Sequence, residues 1–487
     1  MARWSGRASS WLPLGVQTYQ PTERGADVLY RVVEQHLDAF VDRAEASGRS
    51  LPVRVVREFE GYLACGIPSF GFALLRCVDC GTARTVAFSC KRRGFCPSCC
   101  GRRMNTTAAH LVDRVFPEVP VRQWVLSLPM WLRFSVAWDG ELCRRVLGTY
   151  LDTVFAFYRA RAADAGFETA HCGAVTYEQL FGSFVNANLH FHSLVADGYW
   201  VEDGTGPPVF HPTAPPTTAE VQQLVDRVRE RVERLVVRRG HVDEGGEVIG
   251  PEDAEDAQQL MLAASVAGRV ALGERAGAKP RALRKPTSSR TLPNRCATSA
   301  WFNLHAGVRI APQDKEGLER LCRYIARPPL SHDRLTEAPD GQLVVRFKRP
   351  WADGTNELRL WPVELLARLA AIIPQRGRNQ LHYHGVFAPA ARLRRAIVPS
   401  PPVVERHPLL PASAQGGCGK SRWLPWADLL LRVFAVDGLA CGGCQRPMRV
   451  HAVVQGVWSI RHVLACLKTA GRGSFAAPAR GPPSATA

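Results

Sequence analysis

The chain has 487 residues, 46% of them hydrophobic, with 62 Lys and Arg against 44 Asp and Glu and a net charge of +18. This length allows roughly two to four domains with buried cores, and no apolar run reaches the roughly 20 residues that cross a bilayer, which argues against a membrane partner. The amino terminus lacks a signal-peptide core, and the 15 cysteines of so long a chain point to metal rather than a disulfide scaffold, so a cytoplasmic place is expected. The basic excess, mostly Arg, calls for a polyanionic partner, nucleic acid first.

In chain order, residues 25–48 carry a helical stripe of Val28, Leu29, Val32, Val33, Leu37 and Phe40. Residues 60–105 are Cys-rich and basic. Cys77-x-x-Cys80 and Cys96-x-x-Cys99 are separated by 15 residues, the spacing of a zinc ribbon with one Zn²⁺ held by four thiolates. Cys65 and Cys90 could contribute to a second zinc site. Arg92, Arg93, Arg102 and Arg103 rim the second pair and are expected to contact DNA. A strand and its continuation are predicted over 122–136, a helix over 141–163, and strands over 173–180 and 183–197. A basic amphipathic helix follows over 216–238, then an acidic loop over 240–257 and a basic loop over 269–295. A strand over 301–310 leads to a helix over 313–326, ended by Pro328 and Pro329. Beyond it come a β-rich stretch near 342–361, a helix near 362–373 and a strand near 380–387. A third pair, Cys441-x-x-Cys444, is a further zinc candidate, and the tail after 471 is rich in Gly, Ala and Pro and expected to be disordered.

Two features carry chemistry. Asn186-Ala-Asn188-Leu-His190-Phe-His192 alternates polar with apolar residues. On a strand this puts the two imidazoles on one face, where they can grip one divalent ion, while Leu189, Phe191 and Val195 fill the other. His382-Tyr383-His384 has the same spacing and competes with it. The second feature is the helix bearing Tyr324, whose buried stripe is Leu318, Leu321, Cys322 and Ile325. Arg320, Arg323 and Arg327 lie close to that tyrosine in sequence, as a phosphate contact requires. An isolated tyrosine of this kind is usually a boundary residue. Paired with a His-held Mg²⁺ or Mn²⁺, it becomes a nucleophile for phosphoryl transfer.

The ordered motifs C-x-x-C…F-S-C-x-x-R-x-F-C-P-S-C, N-x-N-L-H-F-H-S-L-V-x-D-G, F-N-L-H-A-G-V, L-C-R-Y-I-A-R-P-P-L, K-R-P-W-A-D-G-T and Y-H-G-V-F-A-P resemble the transposases of the insertion sequence 91 family, including the common-region elements, over about residues 25–465. The resemblance implies an HUH endonuclease: an α+β fold with a central antiparallel sheet, a zinc ribbon before it and a small C-terminal region after it. The implied domains are residues 25–115, 120–335 and 336–470, with 471–487 as a tail. The implied activity is nicking and rejoining of single-stranded DNA at the ends of the protein's own mobile element, through a 5′-phosphotyrosine, in rolling-circle-like transposition. His190 and His192 are then the HUH pair, Tyr324 the nucleophile and Gln179 a third polar ligand or phosphate contact. His382 and His384 become structural or DNA-contacting. With Arg at 320 and Pro at 328, the chain resembles the single-tyrosine branch. A nucleoid-associated bacterial protein is implied. A replication initiator or relaxase with the same chemistry, and a non-catalytic zinc-dependent DNA-binding regulator, are the alternatives.

Overall fold

The computed structural model describes residues 27–182, 185–204, 206–239, 254–284, 294–331, 334–347, 354–399, 426–434 and 436–469. Most of the acidic stretch (240–253), the segment 285–293, residues 348–353 of the K-R-P-W-A-D-G-T block and the tail lie outside the described residues. Contacts divide the chain into two units. Among the described residues, one gathers 27–30, 60–92 and those from 426 on; the other gathers 31–59 and 93–399. The described residues from 426 on thus group with 60–92.

The first unit is built on a three-stranded antiparallel sheet. Strand Phe72–Cys77 is central, between Ala83–Ala87 and Met448–Val454. Phe72, Leu75, Cys77, Cys441, Met448, Val454 and Ile460 are its buried side chains.

The second unit is organised by a six-stranded antiparallel sheet. Its spatial order is Leu381–Gly385, Gly173–Phe181, Ala187–Ala196, Val121–Ser127, Phe302–Ile310 and Cys296–Ser299. Ala187–Ala196, the His strand, is therefore interior, and it is buried along nearly its whole length. On one face Leu189, Phe191 and Val195 pack against helices Gly140–Asp164 and Thr218–Arg238. Both helices start on built caps. Asp139 accepts from Glu141 and Leu142 N–H, and Thr217 with Glu220 forms a capping box. On the other face Leu194, with Val121 and Val175 of its neighbours, packs against helices Pro97–Arg114 and Lys315–Ile325. The latter, the tyrosine helix, is seated by Leu318, Leu321, Cys322 and Ile325. Each such buried side chain is worth roughly 1.5–3 kcal/mol, which fixes the rotation of the helix and hence where Tyr324 stands. Asp314 caps it by accepting from Gly317 N–H at 2.7 Å, and a Cβ on Gly317 would lie 2.1 Å from that carboxylate.

Three expectations are corrected. The strand begun at Val121 stops at Ser127, because Pro129 opens helix Met130–Trp138. The basic loop over 269–295 contains strand Arg281–Arg284, the edge of a four-stranded sheet with Thr355–Leu360, Leu343–Arg346 and Leu335–Glu337. The second Cys pair opens the 18-residue helix Pro97–Arg114 instead of a ribbon knuckle.

Beneath the sheet lies a fully buried ion pair. Arg122 donates to both Asp197 oxygens at 2.8 and 2.7 Å and to the Ala306 carbonyl at 2.9 Å. Tyr158 Oη and Arg309 Nε donate to the same carboxylate, each at 3.0 Å. This ties the His strand's end to two neighbouring strands. Asp197→Ala leaves Arg122 buried with no counter-charge, and urea denaturation is expected to show a loss of about 3–5 kcal/mol. A change below about 1 kcal/mol would mean that water or Tyr158 replaces the carboxylate.

Candidate active site and thiol clusters

The alternation of the His strand puts Asn188, His190 and His192 on the face covered by the tyrosine helix. The His190 and His192 rings are 4.8 Å apart at their centroids. His190 Nδ1 donates to the Asn188 carbonyl at 2.7 Å, which leaves Nε2 as its free lone pair. His192 Nδ1 is 2.9 Å from the Gln123 side-chain amide, and its Nε2 is buried with no hydrogen-bond partner. Gln179 pairs with His190 across the strands. Its amide N–H donates to the Ile325 carbonyl at 3.2 Å, and its Oε1 is buried without a partner. Burial is the main cause that lowers both histidine pKa values, His190 to about 4 and His192 well below its ordinary value. Both are therefore neutral imidazoles at pH 7, the form that ligates metal.

Two imidazoles and an amide oxygen, with buried and unsatisfied atoms among them, suit a divalent cation that accepts N and O donors. Gln123 was not singled out from sequence, since only the pairing of Val121–Ser127 with the His strand shows that it reaches His192.

Tyr324 stands on the same face, half exposed, with its ring 5.8 Å from that of His192 and nearly perpendicular to it. The Arg327 guanidinium lies 4.5 Å from the tyrosine ring centroid and donates to the Tyr324 carbonyl at 3.2 Å. The other two arginines of the helix are differently engaged. Arg323 is paired at 2.5 Å with the buried Glu319, and Arg320 lies 3.4 Å from Glu316 in the solvent. Arg93 is half-buried and donates to the Arg378 carbonyl at 2.6 Å, whereas Arg102 is exposed. Arg92 and Arg103 are partly buried.

The rival pair sits on the edge strand Leu381–Gly385. Tyr383 packs with the tyrosine-helix cluster, so His382 and His384 face the other side of the sheet. There His382 Nε2 lies 2.8 Å from Glu178, which also binds Arg378 at 3.0 Å. Burial pushes the Glu178 pKa up, but His382 and Arg378 outweigh it and the net shift is downward. His382 thus belongs to a buried ion network, whereas His384 Nε2 is buried without a hydrogen-bond partner on that same opposite face.

The cysteines regroup. Cys77, Cys80, Cys441 and Cys444 bring their sulfurs within 4.8 Å of one another. Cys77–Cys444, Cys80–Cys441 and Cys80–Cys444 are each 3.5 Å apart. Four thiolates at 2.3 Å from one zinc would stand about 3.8 Å apart, so the set fits a tetrahedral site. Cys65 and Cys90 belong to the first unit, and Cys96 and Cys99 belong to the second. The expected ribbon of Cys77, Cys80, Cys96 and Cys99 is thus corrected. Pairing of Phe72–Cys77 with Met448–Val454 carries Cys441 and Cys444 to the first pair, and spacing within a C-x-x-C pair says nothing about which other pair shares its ion.

Comparison with known proteins gives two family matches. Residues 32–128 match the transposase zinc-binding domain of IS91 elements, and residues 173–395 match a transposase family, Y2_Tnp. No curated protein and no solved structure matches. The first match covers Cys65, Cys77, Cys80, Cys90, Cys96 and Cys99, and the second covers His190, His192, Gln179 and Tyr324. Together they define a DNA-cutting transposase with a zinc-binding domain. The chain belongs to the IS91-family transposases. DNA is accordingly its partner and Zn²⁺ its structural metal. Among the described residues no helix is long and apolar enough to cross a membrane.

Proposed function

We propose that this transposase nicks single-stranded DNA with Tyr324 in an HUH-type site and holds the cut strand as a 5′-phosphotyrosine. The observation that carries this reading is the approach of Tyr324 to His192 on a face where His192 Nε2 and Gln179 Oε1 are buried and unsatisfied. His190, His192 and Gln179 would hold Mg²⁺ or Mn²⁺, whose chemistry when bound is to polarise the scissile phosphate.

The chain's own groups supply the rest. Tyr324 Oη attacks phosphorus and loses its proton to solvent, the bond from phosphorus to the 3′ oxygen breaks, and that oxygen leaves as a 3′ hydroxyl. Arg327 holds the tyrosine ring and places a cation beside the incoming phosphate. The strand remains joined to Tyr324 by a phosphodiester, so a later 3′ hydroxyl can displace the tyrosine without further energy input. No second tyrosine stands one turn away, since positions 320 and 328 are Arg and Pro.

The test is to incubate the full chain with single-stranded oligonucleotides from the ends of its element and Mg²⁺ or Mn²⁺, then map the adduct by mass spectrometry. The expected product is a nucleotide on the peptide containing Tyr324. An adduct on another residue, or cleavage without any adduct, overturns the reading.

A further inference from the structure

The hairpin between Cys296–Ser299 and Phe302–Ile310 turns in two residues, Ala300 and Trp301, because Ser299 pairs with Phe302. Both have positive φ, 42° and 69°. Two-residue hairpin turns of this kind are normally made from Asn and Gly, which adopt positive φ with little strain. Here one position is Ala and the other is Trp, with 81% of its surface exposed. In the same unit Trp124 and Trp200 are 0% and 3% exposed and Trp131 packs against the core, while Trp458, in the other unit, is exposed. Trp301 neither packs into the core nor eases the turn, so folding does not account for it.

Its position suggests what does. Across the sheet, Asn303, Ser127 and His190 are in one register row. Trp301 lies two residues beyond that row, at the end of the sheet where His190 stands. From strand spacing its backbone is about 12 Å from that of His190, which is within a few nucleotides of the candidate scissile bond. Met130, 58% exposed and three residues past Ser127, follows the neighbouring strand at the same end.

We infer that Trp301 is a stacking platform for an unpaired base of the DNA strand that enters the Tyr324 site. The inference rests on the single-strand reading proposed above. An exposed indole offers a flat π face that any base can cover, which suits an enzyme that must hold a strand close to the cut with little sequence demand from this contact. Rigidity of the two-residue turn keeps the ring presented to the strand.

The test measures binding of a fluorescent single-stranded oligonucleotide to the full chain by anisotropy, with thermal unfolding and nicking assayed in parallel. W301A is expected to bind roughly 5- to 150-fold more weakly, and W301F to recover most of the loss. W301G is expected to bind as weakly as W301A while melting at a higher temperature than W301A, because glycine fits the left-handed turn. Affinity for blunt duplex should change little. If the wild-type chain binds and nicks the strand and W301A binds it equally well, the stacking role is overturned while the tyrosine chemistry stands. If the wild-type chain neither binds nor nicks it, both fall. A wild-type dimer that W301A converts to monomer would identify the occupant of Trp301 as a second copy and also overturn the inference.

Discussion

Tyr324→Phe is expected to abolish the covalent protein–DNA product and the nick, with affinity for the single strand within about twofold of wild type. The substitution removes one oxygen and keeps the ring that Arg327 covers, so binding contacts survive while the attacking atom is gone. His192→Ala should behave differently. The proposed nucleophile remains, but the buried Nε2 of the ring beside Tyr324 is lost, and the rate is expected to fall about 10²–10³-fold, the usual loss when one preorganised electrostatic group is removed. His384→Ala serves as the control, because that ring lies on the opposite face of the sheet and should leave the rate of the folded fraction near wild type. Quench-flow or gel assays of a labelled strand read all three. Residual adduct in Tyr324→Phe, or equal losses in His192→Ala and His384→Ala, would falsify the assignment of the site.

The second large effect is on metal content. Cys441→Ser combined with Cys444→Ser is expected to remove one zinc per chain, measured by atomic emission. Hydrogen exchange in Phe72–Cys77 should accelerate by at least about 10²-fold, because that strand loses the anchor of its partner Met448–Val454. The scale is set by structural zinc sites, which contribute on the order of 10–16 kcal/mol of apparent binding energy to small folds. If the double variant keeps its full zinc content, the four-thiol set of Cys77, Cys80, Cys441 and Cys444 is wrong and the shorter-range ribbon is restored.

Local periodicity made much of the second unit legible from sequence. The His strand, the helix Gly140–Asp164 and the tyrosine helix each display one apolar stripe at the spacing of their type, and the structure places them accordingly. The interior position of the His strand and the helix across it follow the same logic, since a strand buried on both faces needs helices on both. What was not legible depends on long-range pairing. Gln123 becomes a neighbour of His192 only through register between two strands 69 residues apart. The opposite orientation of His382 and His384 follows from which neighbour the edge strand joins. The thiol pairs are the clearest case. Four cysteines in two tight pairs, close in sequence, suggest one site, yet the fold brings Cys441 and Cys444 to the first pair. The Ala300–Trp301 turn escaped because neither residue carries the Asn or Gly signal that marks a hairpin.

The separation of 367 residues between Cys77 and Cys444 has a consequence for biosynthesis. A ribosome adding about 5–20 residues per second needs roughly 20–70 s to travel that distance. For most of this time Cys77 and Cys80 are outside the tunnel with half a ligand set, and strand Phe72–Cys77 has Ala83–Ala87 but not Met448–Val454 as a partner. Each nascent chain therefore passes through an interval in which chaperones, oxidants or a foreign zinc donor compete for those two thiols. The closing pair is made only after the ribosome has passed every residue of the proposed active site: a polypeptide that stops after Tyr324 but before Cys441 carries the proposed nucleophile and cannot complete the four-thiol set of Cys77, Cys80, Cys441 and Cys444.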